Sequence, residues 1–107
     1  MANDGILAAR REARARKAER DGRLYALHTA AADALASGDQ NVQLRALEQV
    51  AKWQVNRLCS PRYIAAWKGI LDMPPAQMRA AMLRDDDEGV ALRQNTPFGF
   101  MVKGNGI

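Results

Sequence analysis

Large hydrophobic side chains are nearly absent from the first 23 positions and concentrated in the rest of the chain. From Ala8 to Arg23 the sequence reads "AARREARARKAERDGR", with no apolar side chain larger than alanine. Alanine and arginine are strong helix formers. Glu12 with Arg16, and Glu19 with Arg23, are spaced for i,i+4 ion pairs in the favourable order. Asp4 can cap a helix that starts near Gly5. The pattern therefore predicts a helix over residues 1–23 with almost nothing to bury. It reads as an arm that projects from the body or frays, weakened at Gly22 where it meets the body.

Packing positions begin at Leu24. Leu24, Leu27, Ala31, Ala34 and Leu35 share one helical face, with His28 at its edge. "SGDQ" ends that helix, since Gly38 suits a left-handed position and Asp39 can cap the next helix. The second predicted helix, about 41–58, carries two apolar stripes. One holds Leu44, Leu47, Ala51, Val55 and Leu58; the other holds Val42, Ala46, Val50 and Trp53. So broad an apolar surface places it at the centre of a bundle.

Ser60 and Pro61 start a third helix, with proline in the first turn where its missing N–H costs nothing. Its inward stripe is Tyr63, Ile64, Trp67, Ile70 and Leu71. "MPP" at 73–75 stops it and opens a fourth helix with Met78, Met82 and Leu83 facing in. "DDDE" at 85–88 opens a short last helix. Beyond it, Pro97 bars further helix, and "NTPFGFMVKGNGI" reads as an extended tail. Its apolar residues must either fold back on the bundle or fit a groove on a partner. The expected fold is all-α: a four- to five-helix bundle over 24–94, a basic arm over 1–23 and an extended apolar tail over 95–107.

Length and composition fit this picture. A chain of 107 residues is one domain and can bury one modest core. The lone Cys59 cannot form an intramolecular disulfide, which fits a reducing, cytoplasmic setting. No stretch approaches the ~20 apolar residues needed to cross a bilayer. Net charge is +4, with seven cations and four acids in residues 1–23. That asymmetry suits either a solvated arm or a polyanionic or acidic partner.

The stretch "SPRYIAAW" resembles the start of the second helix of the helix-turn-helix family. The resemblance covers about eleven residues and implies DNA reading by a segment over 50–71, with Arg62 and Lys68 near the groove. The turn "NRLCS" lacks the glycine common in that family, and Ala51 lies nine residues before Ser60, where a gap nearer six is usual. Arg62 alone is suited to bidentate contact with guanine. The reading favoured from the residues is a capped core helix.

Reactive groups are sparse. The chain has one histidine and one cysteine, in different predicted helices. His28 reads as a helix-edge residue with a satisfied hydrogen bond, and Cys59 as an inert thiol. The four consecutive carboxylates of "DDDE" point in different directions on a helix and match no EF-hand spacing. Neither a phosphate loop nor paired-cysteine zinc spacing is present. Trp53 and Trp67 lie on apolar stripes and read as core.

These observations lead to an expectation of a small non-enzymatic regulatory protein, antitoxin- or inhibitor-like in layout, with no cofactor or metal. It would bind a protein partner through Arg10, Arg14 and Lys17 as electrostatic contacts and Phe98, Phe100 and Met101 as apolar anchors. The alternative is a nucleic-acid-binding regulator, possibly a homodimer, whose arm contacts phosphate.

Overall fold

The computed structural model describes the backbone of residues 2–102 and the side chains of residues 5–102. Five α-helices follow one another: α1 (Ala2–Ala36), α2 (Gln40–Asn56), α3 (Pro61–Leu71), α4 (Pro75–Met82) and α5 (Asp87–Gln94). A short 3-10 helix, Gly99–Met101, closes the described chain, and no strand occurs among the described residues. The molecule is a small all-α bundle.

Arm and first bundle helix are one continuous rod. At 1.5 Å per residue, 35 residues span about 52 Å, and the longest dimension of the molecule is 56 Å. Gly22 sits exposed within the rod without breaking it. A glycine there costs about 1 kcal/mol relative to alanine, and strong helix formers on one side and tertiary packing on the other carry the helix through. The backbone helix starts at Ala2, so Asp4 stands inside it; the side chain expected to cap lies outside the described residues.

Helix α1 is the spine, packing against α2, α4 and α5. Its buried face is His28, Ala31, Ala32 and Leu35, while Leu24, Leu27 and Ala34 are half-buried at the rim. The face is thus rotated from the expected one, and His28 lies at its centre, fully buried. Small Ala31 and Ala32 let neighbouring elements approach closely.

Only one stripe of α2 is covered. Val42, Ala46 and Val50 enter the core and Trp53 is half-buried, whereas Leu44, Leu47, Ala51, Val55 and Leu58 are exposed. The expected central position of α2 is therefore corrected: it lies at the edge, against α3 and α1. The two stripes occupy nearly opposite sides of the helix, and the helices after it are only 11, 8 and 8 residues long. They offer too little surface to cover both.

Local signals position the joints. Gly38 adopts φ +83° after α1, and the Asp39 carboxylate accepts from the Asn41 and Val42 amides at 3.1 and 3.2 Å. After α2 the left-handed position that glycine usually fills is taken by Arg57, φ +55°. Ser60 is the N-cap residue of α3 through its backbone; its side chain makes no capping bond. Asp86 caps α5 by accepting from the Gly89 amide at 2.8 Å. Gly89 has no room for a side chain, because a Cβ there would fall on the Arg84 carbonyl.

The core closes around Trp67, Phe98, Met82 and His28, all fully buried. Trp67 Nε1 donates to the Asn95 carbonyl at 2.7 Å. The Phe98 ring meets both the His28 and Trp67 rings edge-on at 5.7 Å. From Thr96 to Val102 the tail is not extended, and the rest of the expected tail, 103–107, lies outside the described residues. The Phe98 amide donates to Thr96 Oγ1 at 3.0 Å, turning the ring inward before the 3-10 helix. Fully burying a phenylalanine side chain is worth about 1.5–3 kcal/mol, which favours the inward turn.

Candidate interaction surfaces

The outer half of α1 is exposed at every described residue from Gly5 to Arg20. Two loose i,i+4 ion pairs support it, Glu12–Arg16 at 3.9 Å and Glu19–Arg23 at 4.0 Å. Arg10, Arg11, Arg14, Lys17 and Arg20 make no ion pair among the described residues. At about 100° per residue these five spread over roughly half the helix circumference, and the two glutamates occupy the other half. Arg10, Arg14 and Lys17 continue the line of the face that holds His28 and Leu35 further along. No element covers that face at the outer end.

The predicted apolar anchors are placed differently. Phe98 is enclosed in the core and not presented to a partner. Phe100 is half-buried, with the Arg45 guanidinium 4.3 Å above its ring. Met101 is half-buried and packs against the core cluster. Of the two outcomes expected for the tail, the structure realises folding back.

Residues of the helix-turn-helix-like segment are engaged with neighbouring helices. Arg62 donates to Glu88 at 2.6 Å, tying α3 to α5. Lys68 donates to Gln54 Oε1 at 2.5 Å, tying α3 to α2. Ile64, Trp67, Ile70 and Leu71 are committed to the core, as the capped-core-helix reading expects.

Two surfaces escaped the sequence reading. One is a shallow apolar hollow of about 520 Å³ at the base of the arm. Leu24, Leu27, Ala30, Met101 and Val102 line it, and Arg20 and Arg23 stand at its rim. It exists because His28, not Leu27, points to the centre of the bundle. The other is the outward stripe of α2. Its spacing was visible in the sequence; its lack of cover was not.

His28 is a core residue. Its Nδ1 donates to the Leu24 carbonyl at 2.7 Å, while Nε2 is buried with no hydrogen-bond partner. The ring stacks on Trp67 at 5.7 Å. Burial pushes its pKa down to about 4; the Leu24 bond opposes this, and the charge of Arg93 adds to it. The imidazole is neutral at pH 7. Arg93 is itself buried, donating to the Met82 and Arg84 carbonyls at 3.0 and 2.9 Å, with its guanidinium 5.1 Å from the Tyr25 ring. It fastens the end of α4 to α5 and α1 through charge-assisted bonds, a role the sequence alone did not indicate.

Cys59 is half-buried between α2 and α3, in a groove lined by Trp53 and Ile64. Among the described residues no three of His, Cys, Asp and Glu converge, and no helix is long and apolar enough to cross a membrane. No protein-family model, curated protein or solved structure matches this chain.

Proposed function

We propose that this is a small non-enzymatic regulatory protein whose projecting helix binds the phosphate backbone of nucleic acid. The observation that carries the proposal is the half-cylinder of five cations that form no ion pair among the described residues, on the exposed outer half of α1. A protein interface draws most of its affinity from buried aromatic and aliphatic anchors. Apart from Ile6 and Leu7 near its tip, the described part of the arm offers only alanine, and Phe98, one of the three anchors expected in the tail, is spent on the core. Phosphate contacts need no such anchors. An α-helix fits the major groove, where cations spread over half its circumference reach both flanking strands. With Arg62 and Lys68 engaged elsewhere, the contacts position the protein and read little sequence.

Salt titration of binding to a labelled duplex tests this. Five phosphate contacts give a slope of log K against log salt near −4.5, and Arg10→Ala/Arg14→Ala/Lys17→Ala, leaving two, brings it to about −1.8. An absence of binding at low salt, or a slope unmoved by the triple substitution, refutes the reading.

The apolar hollow supports a second reading. Its apolar floor and arginine rim suit an amphipathic, acidic segment of a partner protein. Leu27→Arg separates the two, because it removes capture of such a partner while leaving salt-dependent duplex binding intact.

A further inference from the structure

The geometry points to a two-fold symmetric homodimer formed by the exposed stripe of α2 packing antiparallel against its copy, with the axis at Ala51. This stands independently of what the arm binds. Three large aliphatic side chains lie open along one helix, Leu44 at 58% exposed, Leu47 at 38% and Val55 at 80%, and Leu58, past the left-handed turn at Arg57, is 68% exposed. Isolated exposed hydrophobes need no explanation, but a continuous stripe on one face does.

The occupant is set by the spacing. Leu44, Leu47, Ala51, Val55 and Leu58 are separated by three, four, four and three residues, a palindrome about Ala51. A symmetric interface requires that the same patch complement itself. With the axis at Ala51, Leu47 opposes Val55 of the second copy, and Leu44 lies over the end of that copy's helix, where the chain turns at Arg57 into Leu58. The small side chain lies on the axis, where the backbones come nearest, and the large ones flank it.

Charge obeys the same symmetry. Glu48 and Lys52 lie on one edge of the stripe, and neither forms an ion pair among the described residues. In the antiparallel pairing Glu48 of each copy falls about 3 Å along the axis from Lys52 of the other, from the rise per residue. Two reciprocal ion pairs result, with the lysines reaching outward from the axis. On the opposite edge the neutral Gln54 accepts from Lys68 at 2.5 Å. The helical part of the seam, from Leu44 to Val55, is about 16 Å long. A seam this short makes a weak, reversible dimer. Each dimer would carry two arms, so a long polyanion would be held bivalently.

Sedimentation of the full chain across a concentration series tests the proposal, with cross-linking as a geometric check. The expected result is a reversible dimer. Glu48→Lys alone and Lys52→Glu alone each weaken it by about tenfold, and the double swap restores it. In a Cys59→Ser background, Ala51→Cys forms an intermolecular disulfide between identical positions on mild oxidation. All four positions are at the surface or half-buried, so helical circular dichroism stays unchanged. A chain that stays monomeric at hundreds of micromolar overturns the proposal. So does a dimer unaffected by the single charge reversals, or one in which Ala51→Cys fails to cross-link.

Discussion

Helix α1 passes from solvent to core within about one turn near Leu24, and its two halves are stabilised differently. The outer half has alanine, arginine and two loose ion pairs, so intrinsic propensity alone supports it. The inner half has weaker helix formers such as His28 and Thr29, yet it is enclosed by α2, α4 and α5. Packing usually dominates helix stability in folded proteins. The outer half shows what remains when packing is withdrawn: a helix held by local propensity and exposed along its length.

This contrast can be broken most severely from the inner side. Phe98→Ala removes the ring that seals His28 and Trp67 and leaves a cavity, costing about 3–5 kcal/mol. A melting curve should fall by roughly 15 °C or more, while duplex binding by the arm persists below the new midpoint. Little change in melting would mean that the turn carrying Phe98 lies outside the core.

Acid acts on the same cluster. The folded-state pKa of His28 is about 4 and its ordinary value is 6.5. Because the folded value is depressed, the unfolded chain binds the extra proton first as pH falls. The contribution is fully present above pH 6.5 and is lost progressively between 6.5 and 4, amounting to about 3 kcal/mol. Chemical denaturation at pH 7 and pH 4.5 measures it, and His28→Phe should flatten the dependence over that window. A dependence unaltered by that substitution would put the titrating group elsewhere.

The smallest effect lies in the outer half. Ala13→Gly with Ala15→Gly weakens the arm at two exposed positions, lowering helical ellipticity while moving the melting of the body by less than about 0.5 kcal/mol. Cooperative loss of the core would show that arm and bundle are coupled in a way the exposure of residues 5–20 does not suggest.

Helix α2 shows where sequence reading stops. Both of its apolar stripes were visible as periodicity, and both looked like core. Periodicity reports that a face is apolar, not whether the chain has surface left to cover it. The shortness of α3, α4 and α5 decided that one stripe stays open. His28 shows the converse. A lone polar residue reads as an edge position, yet a helix backbone carbonyl satisfied one nitrogen and two aromatic rings enclosed the rest. The α2–α3 turn lacks the glycine common in helix-turn-helix proteins, and Arg57 takes up the left-handed conformation itself.

Sequence alone determined the helical class, the stop at Gly38, the cap at Asp39, the acidic start of α5 and the bareness of the arm. Each depends on a few adjacent residues and on side-chain chemistry that acts over one turn. The tertiary structure decided the rotation of α1 that centres His28, the inward turn of Phe98, the fastening by Arg93, and which side of α2 meets solvent. Those outcomes depend on total apolar area and on partners distant in the chain, and no local pattern contains that sum.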